Sequence, residues 1–94
     1  MSFLLIHFKC EDYARFRSVF ESKVELRQAG GSKGAHLFQA ASDPNDIWIT
    51  LTFDDQATAQ ALISSDPVRE AMKEAGVIGS PEVYPIEDAG RTPA

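Results

Sequence analysis

The sequence predicts an α+β domain, a four-stranded antiparallel sheet with its helices on one face. Three observations carry that expectation. Short apolar runs of strand character occupy residues 3–9 and 47–53. Stretches with apolar residues every three or four positions follow Asp12 and Asp55, and Gly and Pro separate the runs. Ninety-four residues hold one core and no second one, so residues 1–94 are read as a single domain with an ordered core over 3–88 and a frayed tail over 89–94.

Phe3-Leu4-Leu5-Ile6 opens the first strand, which ends at Glu11-Asp12. Tyr13, Phe16, Phe20 and Val24 then recur at helical spacing. They predict one amphipathic helix of about 17 residues, capped by Asp12 and closed by Gly30-Gly31. Residues 34–41 read as the second strand, and Asp43-Pro44-Asn45-Asp46 as a type I turn. Ile-Trp-Ile-Thr-Leu-Thr-Phe over 47–53 is the clearest strand in the chain. Asp54-Asp55 opens an Ala-rich helix to about residue 64. Asp66-Pro67 restarts helix, with Asp66 as cap, a stripe of Val68, Ala71, Met72 and Ala75, and Gly76 at the end. Residues 83–87, after Ser80-Pro81, make the last strand.

The order is therefore β-α-β-β-α-β. Strands two and three form a hairpin, and right-handed crossovers in both halves place the two helical regions on the same side of the sheet. The other side is bare in a monomer. Alternation assigns Leu4, Ile6, Phe8, Ala35, Leu37, Ile47, Ile49, Leu51, Phe53 and Val83 to the helix side. It assigns Phe3, Leu5, His7, His36, Phe38, Trp48, Thr50, Thr52, Tyr84 and Ile86 to the bare side. A solvated sheet face carries Lys, Glu and Arg, and this one has almost none beyond Lys9. Its projected area is roughly 400 Å², large enough to signal a contact surface. A second copy of the same sheet is the expected cover, so the chain is read as a homodimer.

Composition removes several function classes. Net charge is −5, which lacks the basic footprint for nucleic acid or an anionic membrane. No charge-free stretch is long enough to span a bilayer, and no basic leader precedes the first strand. One cysteine excludes an intramolecular disulfide and suits a reducing, cytoplasmic setting. Cys10 lies beside Glu11 and Asp12, which disfavour a thiolate, and is read as a small buried hydrophobe. The Gly30-Gly31-Ser32-Lys33-Gly34 segment follows a helix C-terminus, the wrong pole for an anion, and is read as a turn.

The candidate chemistry gathers on the bare face. His7 and His36 are the only histidines, and each has the titration range for general acid–base catalysis. Their alternative role is a hydrogen-bonded polar group at a dimer interface. Phe38, Trp48 and Tyr84 supply apolar area for a flat or aromatic ligand, and Thr50 a hydroxyl to orient it. No carboxylate is assigned to this face, so no metal site is expected. No cofactor is expected either.

The β-α-β-β-α-β order, the Glu11-Asp12-Tyr13 helix start after a His- and Lys-bearing strand, and Ser65-Asp66-Pro67-Val68-Arg69-Glu70-Ala71-Met72 resemble the dimeric α+β barrel superfamily. That group includes antibiotic-biosynthesis monooxygenases, small heme-degrading monooxygenases, muconolactone isomerases, polyketide cyclases and stress-responsive barrel proteins. The resemblance implies a ferredoxin-like subunit and sheets packed face to face. It also implies a small-molecule pocket, either at the dimer interface or between a sheet and its own helices. Some members hold heme with a strand-one Asn, a Trp and a helical His. Here strand one offers His7, strand three offers Trp48, and no helix carries His, so heme is not implied. The expected function is small-molecule binding without demonstrable chemistry. The alternatives are a cofactor-independent monooxygenase, isomerase or cyclase acting on an aromatic or polycyclic compound, and a pure dimerisation module.

Overall fold

The computed structural model describes residues 1–94. β1 (Ser2–Cys10) leads to α1 (Tyr13–Ser22) and α2 (Val24–Ala29), then to the hairpin β2 (Gly34–Ala40) and β3 (Asp43–Phe53). α3 (Gln56–Ile63), α4 (Asp66–Glu74) and β4 (Val77–Glu87) complete the chain. The four strands form one antiparallel sheet in the order β2-β3-β1-β4. The fold is ferredoxin-like α+β. No helix is long and apolar enough to cross a membrane.

Alternation in the two central strands builds the core. Leu4, Ile6, Phe8 and Cys10 of β1 and Ile47, Ile49, Leu51 and Phe53 of β3 are all buried, and Phe16, Ala59, Leu62 and Ala75 join them from the helix side. Edge strand β2 departs from the expected pattern: Ala35 is exposed and Leu37 only half-buried, because the helices do not reach over it. Cys10 is buried, and its thiol pKa is pushed up by burial, then by Asp12 and Asp43.

Four local expectations require correction. The single long helix is two, broken at Lys23 (φ −105°, ψ 19°). Lys23 N–H donates to the Phe20 carbonyl at 3.2 Å, and Arg27 Nη1 donates to the same oxygen at 2.6 Å. The break turns Val24 out to solvent and brings Leu26 and Arg27 inward. The hairpin turn is Ala41-Ser42, not 43–46. Asp43 pairs with Ala40, Gln39 pairs with Ile47, and 44–46 bulge between them while Asp46 pairs with Lys9. The Asp43 side chain still accepts the Asn45 N–H at 2.9 Å, so the turn chemistry is present but folded into a strand.

β4 begins at Val77 rather than 83. Gly79-Ser80-Pro81 form a bulge between the Lys9–Ile78 and His7–Glu82 pairs, and Gly79 (φ +69°) takes the left-handed backbone. An edge strand tolerates the missing proline N–H there. Finally, Ser65 rather than Asp66 is the N-cap of α4. Asp66 lies in the first turn with its carboxylate 3.2 Å from Arg69, and no side chain caps the helix. Asp12 caps α1 as expected, accepting the Arg15 N–H at 3.1 Å.

Candidate functional site

The register arranges the outer sheet face in rows. Phe38, Trp48, His7 and Glu82 stand side by side across the four strands. The next row is His36, Thr50, Leu5 and Tyr84, and beyond it lie Thr52, Phe3 and Ile86. All six residues singled out from the sequence are thus on one face. They are not one constellation. His7 and His36 sit two strands and one row apart, about 12 Å at ordinary strand spacing. His36 is exposed near the sheet edge and stacks on Phe38, ring centroids 4.1 Å apart.

His7 is the centre of the polar chemistry. Its Nδ1 lies 2.6 Å from Glu82 Oε1 and its Nε2 lies 2.5 Å from Asp46 Oδ1. Trp48 covers the ring face, centroids 3.8 Å apart. Tyr84 donates its hydroxyl to Glu82 Oε2 at 2.7 Å. Asp46, His7, Glu82 and Tyr84 therefore form one hydrogen-bonded chain. Only the imidazolium, with a proton on each nitrogen, satisfies both carboxylates at once. Desolvation alone lowers the His7 pKa, but the hydrogen bonds and charges of Glu82 and Asp46 outweigh it and leave the value raised. Glu82 is held low, first by the Tyr84 hydroxyl and then by His7. Tyr84 is pushed up, chiefly by its bond to Glu82.

Asp46 and Glu82 were missed by the sequence reading, which assigned no carboxylate to this face. Their signal was the alternation itself. Asp46 is two residues before Trp48, and Glu82 two before Tyr84, so each shares its neighbour's face once the strand is extended. The turn reading of 43–46 and the late start of the last strand hid both.

A second candidate lies on the opposite side of the sheet. Between sheet and helices is a cavity of about 90 Å³, 15 of whose 17 lining residues are hydrophobic. Ile6, Ile49, Phe16, Leu62 and Met72 form its walls, and Lys23 and Arg27 are its two cations. None of His7, His36, Phe38, Trp48, Thr50 or Tyr84 lines it. Beside it, the uncovered part of β2 floors an open groove of about 510 Å³ under Arg17, Phe20 and Arg27. Phe20 and Arg27 belong to both spaces.

No protein-family model matches the chain, and no curated protein matches its sequence. Solved structures do match its fold. A candidate antibiotic biosynthesis monooxygenase from Bordetella bronchiseptica superposes with a TM-score of 0.81 at 13% identity, covering 94% of this chain and 96% of that one. SnoaB, a cofactor-independent oxygenase from Streptomyces nogalater, gives 0.79 at 12% identity, covering 99% and 97%. A candidate antibiotic biosynthesis monooxygenase from Caulobacter crescentus gives 0.73 at 13% identity, covering 95% and 90%. The chain has the fold these proteins share, over nine-tenths or more of each of them.

Proposed function

We propose that this chain is a homodimeric small-molecule-binding protein. Two copies close through their outer sheet faces, and each subunit holds a small apolar ligand between its sheet and its helices. The observation that carries the reading is the cavity, apolar on nearly every side and placed between elements rather than within one. A cavity of about 150 Å³ takes a benzene ring, so about 90 Å³ takes a tail or fragment of roughly four carbons without helix movement. The dimer is supported by Phe38, Tyr84 and Ile86, each more than 40% exposed on a face that no helix covers. In that assembly the Asp46–His7–Glu82 cluster is a charged element fixing the register of the two sheets. Ala71→Leu tests the ligand site by filling the cavity from α4. It should abolish binding of short-chain alcohols in a calorimetric or NMR titration. Unchanged binding would place the ligand elsewhere.

A second reading is a cofactor-independent oxygenase acting on a polycyclic aromatic compound. It is favoured by the likeness to SnoaB and by the hydrogen-bonded run from Tyr84 to Asp46. A polycyclic ring exceeds the cavity and would lie on the outer face against Phe38, Trp48 and Thr50, with Tyr84 and His7 moving the proton and His36 at the rim. Oxygen uptake with dihydroxylated polycyclic substrates, lost in His7→Gln, is the result this reading requires. No uptake across such a panel excludes it.

A further inference from the structure

Arg27 has a position that the apolar cavity alone does not explain. Its guanidinium carbon lies 3.6 Å from the centroid of the Phe20 ring, and one Nη donates to the Phe20 carbonyl at 2.6 Å. None of the chain's eight ion pairs includes it, although Arg15, Arg17 and Arg69 each have a carboxylate partner. Burial pulls its pKa down with no opposing charge to offset the loss of solvation. A guanidinium has five N–H donors, and only one is used here.

The location matters as much as the missing partner. Arg27 lines both the cavity and the open groove, so it stands where the two spaces meet. The helix break at Lys23 puts it there, since the Phe20 carbonyl accepts both the Lys23 N–H and the Arg27 side chain. Of the other cations lining these spaces, Lys23 is held by Glu74 at 3.2 Å, Arg17 by Glu21 at 2.5 Å and Lys33 by Asp54 at 3.9 Å. Arg27 alone among these cations has no carboxylate partner.

We propose that the ligand of this cavity is a short amphipathic monocarboxylate. Its apolar tail fills the space under α1, α2 and α4, and its carboxylate lies in the groove mouth against the free edge of Arg27. A planar carboxylate matches the guanidinium fork with two parallel hydrogen bonds. The tail length follows from the cavity of about 90 Å³, roughly four carbons by comparison with the ring that about 150 Å³ accommodates. The inference rests on the cavity being the ligand site, and it adds the class of ligand and the residue that selects it.

The test compares pentanoate with 1-pentanol, which has a similar tail and no charge, by NMR titration at pH 7. Pentanoate should bind more tightly than the alcohol. Arg27→Met keeps the aliphatic stem and removes the charge, and should weaken pentanoate by about tenfold while leaving 1-pentanol unchanged. Arg27→Lys should recover part of the loss. If Arg27→Met does not fold, the parent protein still decides: added NaCl should weaken pentanoate and spare 1-pentanol. Equal affinity for the two compounds, an equal response to salt, or pentanoate binding indifferent to Arg27→Met overturns the carboxylate assignment and leaves the apolar cavity standing. Failure of both compounds to bind, or binding that survives Ala71→Leu, overturns the cavity site itself.

Discussion

Replacing His7 with Ala removes the cation between two carboxylates, and the structure sets the size and pH dependence of the effect. The main loss is the charge-assisted hydrogen bond to Asp46, whose side chain is only 22% exposed. Such a bond contributes about 2 kcal/mol when partly shielded from water. The more exposed Glu82 adds little. For a domain of this length, about 2 kcal/mol corresponds to a fall in melting temperature of roughly 8–16 °C. The raised His7 pKa gives the sign of the pH effect. A group whose pKa is raised on folding stabilises fully below its unfolded value, near 6.5, and loses that contribution as pH rises through the folded value. Glu82, held low, contributes above its unfolded value near 4.5 and loses its part as pH falls through the folded value. The gap between parent and His7→Ala should therefore be widest between about pH 5 and 6 and shrink toward pH 9. Thermal melts of both proteins at one fixed protein concentration measure it. A gap that is constant or widening from pH 6 to 9 would refute the imidazolium at the centre of this cluster.

Four further substitutions probe separate parts of the molecule. Trp48→Asp puts an unpaired charge in the middle of the outer face and should shift sedimentation from dimer toward monomer at micromolar concentration. Identical sedimentation would move the interface elsewhere. Asp12→Ala should cost about 1 kcal/mol by removing the cap on Arg15 N–H, whereas Asp66→Ala should leave the urea midpoint nearly unchanged because Asp66 caps nothing. Gly31→Ala should cost more than about 1 kcal/mol, since Gly31 has φ +96° and an added Cβ would meet Thr58 Cγ2 at 2.5 Å.

Much of this fold is legible in the sequence because its two central strands are long, alternating and buried on one side only. Leu4, Ile6 and Phe8 against Ile47, Ile49 and Leu51 fix which face is inside, and handedness then fixes which face is bare. The misread stretches are those where a local signal competes with pairing. Asp43-Pro44-Asn45 does form its local hydrogen bond, but two flanking strands absorb it as a bulge. Gly79-Ser80-Pro81 likewise reads as a boundary and is instead a bulge on an edge. Those two misreadings removed Asp46 and Glu82 from view, and with them the partners of His7. The cavity was illegible for a different reason. Its mouth depends on the break at Lys23, where the chain has neither Gly nor Pro, and on the Arg27 side chain capping a carbonyl seven residues back.

A methyl- and aromatic-labelled NMR titration with a short-chain ligand such as pentanoate decides which side of the sheet receives the ligand. Binding in the cavity should shift Val19, Leu26, Leu62, Ile63 and Met72, which line it, and leave Trp48 and Tyr84 unmoved. Shifts confined to Trp48, Phe38, Tyr84 and His7, with the cavity methyls unmoved, would contradict this and place the ligand on the outer face.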